Sequence, residues 1–203
     1  MKIKDLIISK IEKKGQIDVS EFIELCQFSK HGYYLKNNPI GQNNDFITSP
    51  EISQMFGEII GVFLINFWEK NIQSEFNLIE LGPGTGTLIE DIIRSAKVNK
   101  KFLNSTNLFL IEKNEALIKK QKERLSNINV KNLKWCKNFD INIDKPSIVY
   151  SNEFFDCFPV RQFFKKNNWY EKFIKYNNSQ DIFHFKSEEI KNDKLLRSLD
   201  KFD

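Results

Sequence analysis

With 203 residues and a net charge of +4, the chain is long enough for one domain with a proper core, or one plus a small appendage, and short for two. Its content of 40% hydrophobic and 29% charged residues is that of a soluble globular protein, and no apolar run approaches the roughly 20 residues needed to cross a bilayer. Lys-rich patches at 97–101 and 119–122 read as solvated helix ends rather than a nucleic-acid footprint.

Cys26, Cys136 and Cys157 are widely spaced and form no C-x-x-C pair, so neither a disulfide framework nor a zinc site is expected. The only histidines, His31 and His184, leave a His-based metal site or a Ser-His-Asp triad without parts. The opening stretch "MKIKDLIISKIEKKGQIDVSEF" has early acids and neither a signal-peptide apolar block nor a transit-peptide composition. A bacterial cytoplasmic protein is therefore expected.

Ile3, Leu6, Ile7 and Ile11 recur at helical spacing up to Gly15, and Asp18 followed by Glu21 predicts a capped second helix. The Asn, Gly and Pro of "SKHGYYLKNNPIGQNND" predict a loop. Thr48 or Ser49 then caps a helix with Pro50 in its first turn, running to about Lys70. Ile52, Phe56, Ile59, Ile60, Phe63 and Phe67 form one face of it, suited to lie on a sheet. Beyond it the period changes: "FNLIEL", "TLIEDIIRSA", "NLFLIE" and "NEALIKKQKERL" alternate as βαβα, which predicts a parallel sheet covered on both faces. Further strands are expected around Val130–Trp135 and at Ser147–Ser151, and a hairpin around Asn177–Gln180.

The turn after the first strand of that series reads Glu80-Leu-Gly-Pro-Gly-Thr-Gly86. A dinucleotide fold needs G-x-G-x-x-G, but Thr87 occupies the third glycine's place, and no Gly-Lys-Ser/Thr follows for a phosphate loop. An acid with Gly82, Gly84 and Gly86 at alternate positions is instead the signature of class I S-adenosylmethionine-dependent methyltransferases. That ligand has no phosphate. Glu80 at the strand tip suits its ammonium, free N–H groups at the helix start suit its carboxylate, and Glu112 at the next strand tip suits the ribose hydroxyls. A tight turn beside an incidental solvated Glu is the bland alternative.

The blocks "VSEFIELCQFSKHGYY", "DFITSPEISQMFGEIIG", "LIELGPGTGTLIEDIIR", "LIEKNEALIKKQKERL" and "SNEFFDCFPVRQF" occur in that order. Through them the chain resembles the MidA-like proteins, which include the arginine methyltransferases that act as mitochondrial complex I assembly factors. The resemblance implies a Rossmann-like class I methyltransferase sheet with extra N-terminal helices, and the cofactor S-adenosyl-L-methionine. It further implies a protein arginine as acceptor, on a complex I subunit of the 49-kDa type. Asn44 stands where many relatives have Gly. Family members are longer, so the last strands of the sheet are expected to be missing and the chain to be truncated.

Glu153 and Asp156, after the fourth strand, are the candidate catalytic pair, since carboxylates give a guanidinium planar, charge-assisted hydrogen bonds. Capping of a following helix by Asn152 and Asp156 explains the same stretch without a function. The cofactor set is Glu80, Gly82, Gly84, Gly86, Glu112 and Thr48; on the adenine side, where the resemblance implies an acid close behind Trp135, Asn138 or Phe139 stands in its place. Ser49 and Glu51 either close over the cofactor or only cap their helix, Tyr33 and Tyr34 wall the site or pack, and Arg161 and Gln162 have no assigned task. The expected division is a helical, cofactor-covering region 1–72 and a methyltransferase domain 73–203. The expected function is SAM-dependent protein arginine methylation. A non-catalytic assembly factor or remnant and a small-molecule methyltransferase are the alternatives.

Overall fold

The computed structural model describes residues 2–33, 47–128, 130–141 and 143–202; Tyr34 and Asn44 lie outside them. In chain order the elements are α1 (Ile3–Lys14), β1 (Ile17–Asp18), α2 (Val19–Phe28), α3 (Ser49–Ile52), α4 (Gln54–Asn71), β2 (Phe76–Leu81), α5 (Thr87–Ala96) and α6 (Lys100–Ser105). They continue with β3 (Thr106–Ile111), α7 (Glu115–Arg124), β4 (Asn132–Cys136), β5 (Ser147–Ser151), β6 (Phe163–Lys165), β7 (Trp169–Asn177), β8 (Ile182–Glu189) and α8 (Asp193–Leu199). The chain forms two compact units, Met1–Asn38 together with Cys157–Asp203, and Pro39–Asp156. This division differs from the expected boundary at residue 72, because the tail hairpin clusters with the first helices rather than with the parallel sheet.

In the Pro39–Asp156 unit, β2 to β5 form a parallel sheet in the order β4-β3-β2-β5. A central parallel strand is covered on both faces, and Phe76, Leu78 and Ile79 of β2 are accordingly fully buried. Phe76 and Leu78 pack with Leu108 and Leu110 of β3, with Ile89, Ile92 and Ile93 of α5, and with Trp68 and Phe102. Asn99 and Asn114 start α6 and α7 by accepting hydrogen bonds from helix N–H groups.

The helix expected from Thr48 to Lys70 is broken at Ser53, whose extended backbone separates α3 from α4, and Thr48 makes no side-chain cap bond. The face expected to lie on a sheet is also corrected. Phe56 and Ile60 pack against the core, but Ile52 (73%), Ile59 (61%), Phe63 (62%) and Phe67 (42%) are exposed. The buried face is Gly57, Gly61, Leu64, Ile65 and Trp68. A Cβ on Gly57 would lie 2.5 Å from Asp91 Cβ, and one on Gly61 3.0 Å from the Ile92 carbonyl oxygen. The two glycines thus let α4 approach α5 closely, Gly57 against the Asp91 side chain and Gly61 against the Ile92 backbone, and that contact sets the helix's rotation.

The other unit joins both ends of the chain. Asp18 caps α2 through the Glu21 N–H, and Gly15 ends α1 with φ +79°. β7 pairs antiparallel with β8 along its length, and with β6 and β1 on its other edge, Ile17 facing Ile174. Ile7, Ile11, Ile17, Val19 and Ile174 form the small core. Asn177 holds the hairpin turn by accepting from the N–H groups of Ser179 and Gln180. Arg161, unassigned from sequence, forms a two-pronged ion pair with the buried Glu171, both bonds 2.7 Å, and its guanidinium lies 4.9 Å from the Phe163 ring centre.

Candidate cofactor site

The four parallel strands end level. Leu81 pairs with Ile111 and Ser151, and Ile111 with Cys136, so Gly82, Glu112, Lys137 and Asn152 are the first residues beyond the sheet. Backbone bonds from Gly82 N–H to the Ile111 carbonyl (3.0 Å) and from Glu112 N–H to the Cys136 carbonyl (2.9 Å) extend the alignment one step. The chain steps outward from β2 through β3 to β4, then returns to place β5 on the other side of β2. That reversal is a topological switch point, where open α/β sheets hold ligands beyond the carboxyl ends of their strands.

The glycine loop occupies this point. Gly82, Gly84 and Gly86 have φ of +64°, +57° and +83°, a region costly for residues with a Cβ. At Gly82 space is also short, since an added Cβ would lie 2.3 Å from Phe154 Cδ2. Gln121, fully buried on α7, fixes the loop from below: its Nε2 donates to the Gly84 carbonyl at 2.8 Å, and its Oε1 accepts from the Trp135 indole N–H at 2.9 Å. Gln121→Leu leaves both groups without a partner, at about 1–3 kcal/mol each. Urea unfolding followed by tryptophan fluorescence is expected to show a loss in that range and an altered native-state spectrum; an unchanged midpoint would mean that the bridge does not hold the loop.

Glu80 is 2% exposed, and its Oε2 accepts from the Tyr150 hydroxyl at 3.0 Å across the paired strands β2 and β5. Burial pushes its carboxyl from 4.5 up to about 8, the Tyr150 bond working in the opposite direction. Glu112 is raised as well, by burial, against the pull of the Asn114 and Lys113 N–H groups and of Gln121. Its Oε1 accepts both of those N–H bonds at 2.8 Å.

Of the residues expected from sequence, Glu80, Gly82, Gly84, Thr48 and Glu153 line one cleft. Gly86 opens α5, and Glu112 stands at the neighbouring strand tip. Asn138 is exposed two residues past β4, and Asp156 is exposed in the single turn Phe155–Cys157; neither lines the cleft. Glu153 has φ +46°, and its Oε1 accepts from Ser49 N–H and from Asn152 Nδ2, both at 3.4 Å. Glu153 thus holds a backbone conformation that is costly for a residue with a Cβ.

The cleft is also lined by Glu51, expected from sequence either to close over the cofactor or to cap its helix, by Asn152, expected as a cap, and by Thr85 and Thr87. For Glu51 and Asn152 nothing local in the sequence distinguishes a cap from a ligand group. Gln121 had a visible signal, since it falls on the apolar stripe of Leu117, Ile118 and Leu125. The donor set fits S-adenosylmethionine: carboxylates for an ammonium and for ribose hydroxyls, helix N–H groups for a carboxylate, and a backbone turn that only glycine can form so close to Phe154.

Comparison with known proteins agrees with this geometry. Residues 59–203 match the family described as "Putative S-adenosyl-L-methionine-dependent methyltransferase". A Caenorhabditis elegans protein named "Protein arginine methyltransferase NDUFAF7 homolog, mitochondrial" is 30% identical over 210 residues, covering 91% of this chain and 49% of the relative. The Danio rerio "Protein arginine methyltransferase NDUFAF7, mitochondrial" is 34% identical over 194 residues, covering 83% and 45%. The chain thus spans about half the length of the curated relatives it matches. A Burkholderia thailandensis crystal structure bound to S-adenosyl-homocysteine superposes with a TM-score of 0.80 at 20% identity, over 99% of this chain and 53% of that one, and so shares the fold. The expectation of a bacterial cytoplasmic protein is corrected by the relatives, whose names place them in mitochondria; the composition of the first residues did not carry that information. With its glycine loop at the switch point and more than half its length matched, the chain belongs to the S-adenosyl-L-methionine-dependent methyltransferase family so described.

Proposed function

We propose that the chain binds S-adenosyl-L-methionine and methylates an arginine of a protein substrate. The observation that carries this reading is the set of carboxylates around the glycine loop at the level strand ends; the names of the relatives support the acceptor. Glu80 serves the cofactor's ammonium, Gly82, Gly84 and Gly86 allow close backbone approach, Glu112 takes the ribose, Thr48 covers the site, and Asn138 serves the adenine. When bound, the cofactor supplies an electrophilic methyl group on a sulfonium, which the guanidinium nitrogen accepts while losing a proton.

Glu153 holds the guanidinium by charge-assisted bonds, with Asp156 as its weaker partner, so that one nitrogen faces the methyl group. Alignment supplies most of the rate, with little demand on a strong base. The narrower substrate we propose, from the MidA-like resemblance, is a complex I subunit of the 49-kDa type.

Incubation of the chain with methyl-labelled cofactor and that subunit tests the proposal. Label on arginine, lost in Glu153→Gln, is the expected result. Cofactor binding without transfer to the subunit would leave a binding role only, and transfer to a metabolite alone would replace the protein acceptor.

A further inference from the structure

Glu51 lies in α3, yet its carboxylate is bound to the glycine loop. Its Oε1 accepts from the Thr87 hydroxyl at 2.7 Å and from the Thr85 hydroxyl, and those two hydroxyls are 2.9 Å apart. Thr85 sits between Gly84 and Gly86, and Thr87 is the first residue of α5. An acid from an element well before the loop in sequence is therefore held at the start of a ten-residue helix, in the cleft that Glu80 also lines. Among the described residues both of these side-chain bonds fall on Oε1, which leaves Oε2 to a further donor.

We infer that Glu51 is a cofactor-site residue that, together with Glu80, takes the ammonium of the amino-acid end of S-adenosylmethionine. The inference rests on the cofactor reading above and adds to it the group that carries the charge. Glu80 enters the neutral range largely protonated, because its carboxyl is pushed up to about 8 by burial. A neutral acid offers an ammonium little. Glu51 behaves differently. Burial would raise it, but the Thr85 and Thr87 hydroxyls, with Arg124 and Lys120 nearby, outweigh that and hold it below the ordinary carboxylate value. Of Glu51 and Glu80, Glu51 is thus the one that carries a negative charge beside the loop at neutral pH. The same bonds explain why Thr85 and Thr87 flank Gly86: their hydroxyls orient an acid that arrives from outside the loop.

Calorimetric titration with two probes tests this. S-adenosylhomocysteine carries the ammonium, whereas 5′-methylthioadenosine has the same nucleoside and no amino-acid end. In Glu51→Gln, which keeps the shape and an oxygen acceptor for the threonines, the first probe is expected to bind at least tenfold more weakly and the second within twofold of the unmodified chain. Glu51→Asp, which keeps the charge, is expected to bind the first probe more tightly than Glu51→Gln does. Unchanged binding of S-adenosylhomocysteine by Glu51→Gln overturns the inference. So does an equal loss for both probes, which would assign Glu51 a purely structural role. An unmodified chain that binds neither probe removes the cofactor reading itself, an outcome recognisable before any variant is made.

Discussion

Glu80→Gln is expected to flatten the pH dependence of unfolding between about pH 4.5 and pH 8 and to weaken S-adenosylhomocysteine binding at pH 8 by about tenfold to a hundredfold. In the folded chain the Glu80 carboxyl holds its proton up to about 8, while in the unfolded chain it releases it near 4.5. Across that window the folded state binds more protons, so stability is fully present below pH 4.5 and declines as pH rises to about 8. At about 1.4 kcal/mol per pH unit the whole decline is on the order of 4–5 kcal/mol. Glutamine keeps an acceptor for the Tyr150 hydroxyl but has no proton to lose, so the variant gains on the unmodified chain as pH rises. Urea unfolding of both proteins at pH 5, 6.5 and 8 measures the difference. A gap that stays constant over the three values would mean that Glu80 is ionised in the fold throughout. The same protonation makes the complex pH-linked: near pH 7, an ammonium that meets Glu80 expels its proton, detectable by calorimetry in buffers of different ionisation heat, and Glu80→Gln abolishes that release.

Gly82→Ala is expected to destabilise the chain by on the order of 3 kcal/mol and to remove cofactor binding. Two independent causes act together. The backbone is at φ +64°, where a Cβ meets the following carbonyl, and the new methyl would lie 2.3 Å from Phe154 Cδ2. Phe154 follows Glu153, so its displacement also moves the acid that reaches toward Ser49. Thermal melting is expected to fall by about 6–12 °C. A second substitution, Phe154→Ala, separates the causes: it removes the ring but not the dihedral strain, and should restore part of the loss. A double variant no more stable than Gly82→Ala alone would show that close approach to the ring is irrelevant.

Local pattern was legible wherever one residue type had one physical meaning. Gly15, Asp18 and Asn177 stop, cap and turn the chain as their chemistry requires, and the mostly apolar run from Phe76 to Leu81 is buried on both faces as a central strand of a parallel sheet is. The rotation of α4 was not legible. Counting apolar side chains favours the Ile59 and Phe63 face, whereas the decisive contact is made by Gly57 and Gly61, which have no side chain to count. The pairing of the tail hairpin with Ile17 and Asp18 also escaped, since two residues of strand give no periodic signal. The places of the glycine loop and of Glu80 and Glu112 at the strand ends were legible because their spacing is local. The role of Gln121 depends on a carbonyl and an indole brought to it by two other elements, and that of Glu51 on threonines placed by the loop.

The pairing of Ile17 with Ile174 sets an order of assembly on the ribosome. The first helices emerge early, but the strand that completes their sheet lies behind the whole of Pro39–Asp156. At ordinary elongation rates the partner arrives on the order of ten seconds later. During that wait Ile7, Ile11 and Val19 lack the Ile174 side of their cluster, while the intervening segment can already collapse around Phe76 and Leu108. A chaperone that recognises short aliphatic stretches would find its target there, and slowing translation would lengthen the exposure.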